Sequence, residues 1–166
     1  LPGDGTYRVE IRDVVYGGSP AHPVWQYVYD AVGNQTEVID PLLRETDYEY
    51  DDLDRLTRTI ESAAAGGVQA IEDPDRPKCV NVYDAVGNLT KSIDPLLRET
   101  DYVYDELNRL VRTVAPAPDS AGVLPIDDPA RPNSYAYYDA VGNVTLTVDP
   151  LGRTTESSYD ALNRLV

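Results

Sequence analysis

Residues 83–110 read YDAVGNLTKSIDPLLRETDYVYDELNRL, and this stretch decides the fold. Residues 78–84 (KCVNVYD) lead into it as a strand rich in β-formers. Ala85-Val86-Gly87-Asn88 follows as a turn, because Gly and Asn enter the positive-φ region at little cost. Residues 89–94 then alternate, with Leu89, Lys91 and Ile93 on one face and Thr90, Ser92 and Asp94 on the other. Asp94-Pro95-Leu96-Leu97-Arg98 is the next turn, where Pro95 presets φ and the Asp94 carboxylate can close an Asx-type bond. Residues 99–105 form a third strand, with Thr100, Tyr102 and Tyr104 on one face and Glu99, Asp101 and Val103 on the other. Residues 106–109 turn again and 110–114 make a fourth strand. Short links between such segments predict an antiparallel meander.

The same text occurs three times. Residues 29–56 differ from 83–110 at 6 of 28 positions, and residues 138–165 differ from 83–110 at 10 of 28. The copies begin at Tyr29, Tyr83 and Tyr138, a nearly constant spacing. Within each, a second Tyr-Asp pair follows the first at one fixed offset. The pairs are Tyr29-Asp30 and Tyr50-Asp51, Tyr83-Asp84 and Tyr104-Asp105, and Tyr138-Asp139 and Tyr159-Asp160. Gly33, Gly87 and Gly142 hold the same place in the three first turns. The connectors repeat as well: Pro20 and Pro23, Pro74 and Pro77, and Pro129 and Pro132 stand at matching places before the Tyr that follows. The chain therefore divides into a non-repeat segment 1–19, a first unit 20–73, a second unit 74–128 and a truncated third unit 129–166. A lone hairpin is marginal in water, so stacked copies bury what each cannot bury alone.

Composition agrees. The 166 residues include 13 Tyr, 13 Pro and 11 Gly, with one Trp and neither Phe nor Met, so the apolar mass is Val, Leu, Ile and Tyr. A formal charge of −15 argues against a nucleic-acid partner, since phosphate contacts need a basic patch. No stretch is apolar enough for a membrane helix. One Cys and one His remove disulfide frameworks and most His-based chemistry, and no cofactor is expected. The expected class is all-β, with antiparallel hairpin repeats stacked into an elongated curved or spiralling sheet.

The pattern Y-D-x-x-G-N-x-T-x-x-x-D-P-x-G-R-x-T followed by Y-D-x-x-N-R-L resembles the YD or Rhs repeat family. Residues 138–165 are the nearest copy, through Gly142, Asp149-Pro150, Gly152-Arg153, Tyr159-Asp160 and Asn163-Arg164. The resemblance implies a hairpin sheet that winds into a hollow shell, as in bacterial Rhs and Tc toxins and in teneurins, which are large secreted or cell-surface proteins. Leu43 and Leu97 stand where Gly152 stands, which predicts a different turn there, because a left-handed Leu costs about 1 kcal/mol or more. Asn34, Asn88 and Asn143 stand where the family often has Arg.

Four constellations are candidates for chemistry. Asn34, Asn88 and Asn143 each open an N-x-T sequon, a glycan acceptor in a secreted chain; the alternative is turn chemistry alone, with Asn in a left-handed position. The acids Asp40, Asp94 and Asp149, Asp47 and Asp101, and the pairs Asp73/Asp75 and Asp127/Asp128 are hard oxygen ligands of the kind calcium takes, or ordinary turn punctuation. Tyr29, Tyr48, Tyr50, Tyr83, Tyr102, Tyr104, Tyr138 and Tyr159 offer either cross-strand packing or a carbohydrate-binding row. Paired carboxylates without an anchoring motif do not single out a glycosidase. His22 reads as a connector residue, and Cys79, aligned with Trp25 and Ser134, as a half-buried thiol.

The N-terminal segment carries a strand over residues 7–16, closed by Gly17-Gly18. It can cap its own sheet or add to the edge of a second copy, and head-to-tail addition would build a filament. The sequence thus points to a non-enzymatic, extracellular or cell-surface structural scaffold. It is its own candidate partner and a candidate carrier of glycans. A toxin-enclosing shell fragment and a carbohydrate-binding module are the alternatives.

Overall fold

Alternating side chains, punctuated every few residues by Asp, Gly and Pro, leave the backbone no run long enough for a helix. A computed structural model of the chain describes residues 7–11, 25–63, 70–118 and 124–166. Every regular element among these is a strand. They are β1 (Tyr7–Ile11), β2 (Trp25–Tyr29), β3 (Gln35–Ile39), β4 (Glu45–Tyr50), β5 (Leu56–Ile60), β6 (Lys78–Tyr83), β7 (Leu89–Ile93), β8 (Glu99–Tyr104), β9 (Leu110–Val114), β10 (Asn133–Tyr138), β11 (Val144–Val148) and β12 (Thr154–Glu156). The expected all-β class of stacked antiparallel hairpins is what the chain adopts. The strands expected in residues 78–114 fall within a residue of β6 to β9.

The chain divides into two units, 1–81 and 82–166, with the division inside β6. In the first, β1 to β6 pair in chain order, all antiparallel. β1 lies against β2 of its own chain, with Tyr7 opposite Tyr29 and Ile11 opposite Trp25. The rest of the expected N-terminal strand, with Gly17-Gly18 and His22, lies outside the described residues. In the second unit β7 to β12 pair in order in the same way.

A bulge recurs next to four of the turns that follow a Tyr-Asp pair. Register slips between Val28 and Tyr29, Glu49 and Tyr50, Val103 and Tyr104, and Tyr137 and Tyr138. The extra residue sits on the opposite strand: Thr36, Thr57, Val111 and Thr145. Each such bulge leaves a carbonyl short of a ladder partner. The hydroxyls of Thr36, Thr57 and Thr145 donate to the carbonyls of Val28, Glu49 and Tyr137, at 3.4, 3.0 and 3.3 Å.

The apolar interior is thin. Among the described residues the buried apolar side chains are Ile39, Ile60 and Ala63 in the first unit and Val114 and Ala117 in the second. Buried polar residues outnumber them: Asp40, Glu45, Asp47 and Arg76, then Glu99, Asp101 and Arg131. Such burial is tolerable only where the polar groups are paired.

Candidate functional site

One turn recurs nine times among the described residues, and one Asp organises each. In the first, the Asp30 amide donates to the Asn34 carbonyl at 2.9 Å. Asp30 Oδ1 accepts from the amides of Val32, Gly33 and Asn34 at 3.0, 2.8 and 2.8 Å, and Oδ2 accepts from Asn34 Nδ2 at 3.0 Å. Where Arg replaces Asn, the grip becomes bidentate. Asp51 Oδ2 takes Arg55 Nε at 2.7 Å and Nη2 at 2.6 Å, while Oδ1 takes the amides of Leu53 and Arg55. Asp94 with Arg98, Asp105 with Arg109, and Asp160 with Arg164 repeat the arrangement. The Asx bond expected of Asp94 is present, from the Leu96 amide at 2.9 Å. These contacts hold the carboxyls below their ordinary range. At Asp51, Asp105 and Asp160 the Arg side chain is the largest cause, with backbone amides adding to it.

The fourth residue of every turn is left-handed. It is Gly33, Gly87, Gly142 and Gly152, but also Leu43 (φ 59°), Leu97 (φ 60°), Asp54, Asn108 and Asn163. Two expectations are corrected here. The Leu43 and Leu97 turns do not differ from the Gly152 turn; the Asp–Arg clamp imposes one geometry on all three. Asn34, Asn88 and Asn143 are not the left-handed residues; the preceding Gly takes that conformation.

The Asn side chains tie neighbouring turns together. Asn34 Nδ2 also donates to Asp54 Oδ1 at 2.8 Å, Asn88 Nδ2 to Asn108 Oδ1 at 2.9 Å, and Asn143 Nδ2 to Asn163 Oδ1 at 3.0 Å. With the bond to Asp30, Asp84 or Asp139, both hydrogens of each amide are engaged. The sequon Thr serves the bulge carbonyl, including Thr90 to Val82 at 3.2 Å. Each Tyr of a second Tyr-Asp pair donates its hydroxyl to a carbonyl on an upstream strand: Tyr50 to Gln35, Tyr104 to Leu89 and Tyr159 to Val144, at 3.0–3.1 Å. Tyr138 reaches Leu110 at 2.9 Å, and Arg109 stacks 4.7 Å over its ring.

The deepest charges form one node in each unit. The connectors Asp73-Pro74-Asp75-Arg76-Pro77 and Asp128-Pro129-Ala130-Arg131-Pro132 fold into Asp-led turns, with the Asp75 and Ala130 amides on Asp73 and Asp128 Oδ1. Each places a buried guanidinium against the neighbouring strands. Arg76 donates to the carbonyls of Glu61, Ile60 and Glu45. Its Nη2 lies 2.5 Å from Asp47 Oδ2, and its Nη1 lies 3.5 Å from Glu45 Oε1. Because Nη2 also serves the Ile60 and Glu45 carbonyls, the Asp47 contact is ionic rather than an aligned hydrogen bond, and Asp47 Oδ2 and Glu45 Oε2 have no hydrogen-bond donor. Arg131 donates to the carbonyls of Ala115, Leu124, Glu99 and Val114, and its Nη1 lies 2.6 Å from Asp101 Oδ2.

The two nodes differ in the residue that stands opposite the second acid. Opposite Asp101 stands Lys91, with Nζ 2.5 Å from Glu99 Oε1 and 3.6 Å from Asp101 Oδ1. Opposite Asp47 stands Glu37. Burial, with the charges of Asp47 and Glu37 added, raises the Glu45 carboxyl from 4.5 to about 7 despite Arg76.

The acids singled out in the sequence are thus spread over turns and nodes. Asp40, Asp94 and Asp149 clamp Arg44, Arg98 and Arg153. Asp47 and Asp101 face the buried arginines, and Asp127 pairs with Arg112 at 3.0 Å. No three of these groups come together as a metal site among the described residues. Cys79 is half-buried. Arg76 and Arg131, at the centre of each node, are not among the candidates read from sequence. The signal is there, since both precede the second Pro of the repeated connector.

A model of the RHS Repeat family matches residues 29–68, 83–118 and 138–166. No curated protein matches the chain. Among solved structures, the crystal structure of TcdB2-TccC3-Cdc42 is similar over 98% of this chain, with a TM-score of 0.63 at 18% identity. The crystal structure of TcdB2-TccC3 is similar over 97%, with a TM-score of 0.63 at 18% identity. The Photorhabdus luminescens Tc holotoxin pore, with a mutant TccC3, is similar over 97%, with a TM-score of 0.60 at 18% identity. The chain spans 9%, 8% and 9% of those chains, respectively.

Proposed function

This chain belongs to the RHS repeat family, and from that premise we propose that it is a segment of shell wall: a structural, non-enzymatic sheet in a larger secreted protein that encloses a cargo. The observation that carries this reading is the assignment of the polar residues. The clamping Asp, Asn and Arg and several Tyr hydroxyls are bonded to backbone or to each other, and Asp47 and Asp101 are ion-paired with buried arginines. They are spent on holding the sheet together. Similarity over nearly the whole chain to long Tc proteins supports the same reading.

The test is the native protein. An antibody raised against residues 83–114 should detect a band many times heavier than 18.3 kDa in the culture medium. Limited proteolysis should leave that band largely intact, with any enclosed domain released only on denaturation. A secreted species of only 18.3 kDa, or a hydrolase activity that purifies with the chain, overturns the proposal.

Glycans on Asn34, Asn88 and Asn143 would each require a bridging amide bond to be given up. We therefore read these residues as turn braces, and intact mass of the secreted protein decides the matter.

A further inference from the structure

Many polar side chains of the first unit are bound up in turns and in the node, but two that stand beside Trp25 are not. Trp25 on β2 is 44% exposed and stacks on Tyr27, with ring centroids 6.4 Å apart and planes at 17°. Tyr27 is in register with Val38 on β3, and Val38 with Thr46 on β4. Asp47 pairs with Ile60, so Glu61, the next residue of that strand, falls beside Thr46 on the same face. These residues line a cleft of about 270 Å³, with Val38 and Thr46 as its floor, Trp25 and Glu61 on either side and the Asp40–Arg44 pair at its end. We propose that this cleft receives a cationic side chain of a basic polypeptide, a lysine or arginine set between the Trp25 ring and the Glu61 carboxylate.

The charges in the cleft leave one negative group over. Arg44 is neutralised by Asp40 at 2.6 Å, and the Ser62 hydroxyl is bonded to the Glu45 backbone. The Glu61 carboxylate and the Thr46 hydroxyl have no partner among the described residues. Burial, and then the charge of Glu61, raises the Tyr48 hydroxyl, which places that charge over the face Tyr48 shares with Thr46. An aromatic ring and an unpaired carboxylate both attract a cation. The formal charge of −15 adds a long-range field that favours a polycationic partner over a free ammonium ion. A sugar would need several disengaged polar groups, and here the turn and the Glu45 backbone already hold Asp40 and Ser62. The volume lies below the roughly 300–1,000 Å³ of pockets for drug-sized ligands and suits a single side chain.

The second unit lacks these groups. Cys79 stands in the place of Trp25, Ser92 in that of Val38 and Ala115 in that of Glu61. Ser92 there holds a tyrosine, its hydroxyl lying 3.3 Å from that of Tyr102. Asp40, Arg44 and Thr46 recur unchanged as Asp94, Arg98 and Thr100, as their turn and ladder positions require. The three residues that differ are the ones that supply the ring, the apolar floor and the charge.

Because the chain has one Trp, its fluorescence reads this cleft directly in the intact protein. Blocked Gly-Lys-Gly and Gly-Arg-Gly peptides, titrated to about 0.1 M at constant ionic strength, should change the emission saturably, and the norleucine peptide should not. Glu61→Gln should weaken the lysine peptide about threefold or more. Glu106→Gln, which removes an exposed acid of the second unit, should leave the affinity as it is. Absence of saturation overturns the proposal, as does an equal response to the norleucine peptide or an unchanged affinity in Glu61→Gln. Saturation by tetramethylammonium or methyl glucoside, with none by the lysine and arginine peptides, overturns it in favour of a small-molecule site.

Discussion

Asn88 Nδ2 donates to Asn108 Oδ1 at 2.9 Å, joining two turns that are 20 residues apart in sequence. Asn108 is itself left-handed, with φ of 58°, so one residue both shapes its own turn and receives the brace from another. The same pair occurs as Asn34 with Asp54 and as Asn143 with Asn163. This couples each compact hairpin to the next and accounts for the fixed offset between the two Tyr-Asp pairs.

Asn88→Ala removes this bond and the one to Asp84, and should cost about 1–2 kcal/mol by urea unfolding. Asn108→Gly loses the brace but gains an unstrained left-handed residue, so its cost should be the smaller of the two. A gain in stability for Asn108→Gly would show that the brace contributes nothing.

Leu43 and Leu97 adopt a conformation that costs a residue with a Cβ about 1–2 kcal/mol. Leu43→Gly and Leu97→Gly should each raise stability by about 0.5–1 kcal/mol, since both side chains are exposed and little packing is lost. Gly152→Leu should do the reverse. Thermal midpoints of the three variants measure this.

Arg131 is buried, donates to four carbonyls and faces two acids. Arg131→Met leaves Glu99 and Asp101 with Lys91 alone and should cost about 3–5 kcal/mol. Arg131→Lys should recover little of that, because one ammonium cannot span the carbonyls a planar guanidinium reaches. Urea titration distinguishes the two outcomes.

The turn carboxylates set the acid limit. Asp51, Asp94, Asp105 and Asp160 are held below the ordinary 3.8, chiefly by Arg55, Arg98, Arg109 and Arg164. A lowered folded value means that the clamps contribute fully above 3.8 and lose their contribution as pH falls through the folded values. The urea midpoint should therefore drop steeply below about pH 4. Asp105→Asn should be less stable at pH 6 and show a shallower acid slope.

Strand and turn positions are legible in the sequence because each depends on local residues: alternation in 89–93, Gly87 at a turn, Asp94 before Pro95. Leu43 and Leu97 mislead because a Leu carries no signal for left-handed geometry; the Asp–Arg clamp around it does. The Asn expectation is one residue out, since Gly and Asn share a preference and only the amide bridge tells them apart. The nodes are illegible for a different reason. An acid two places from another on a strand looks like a solvated face until an arginine from a later connector is brought over it, as Arg131 is over Glu99 and Asp101.

Among the described residues so few apolar side chains are fully buried in either unit that unfolding uncovers less hydrocarbon to water than in a deep-cored domain. The heat-capacity increment should then fall below the usual ~12–15 cal/mol/K per residue. A small increment flattens the curve of free energy against temperature. A wall built on these terms would hold nearly constant strength from cold surroundings to warm ones.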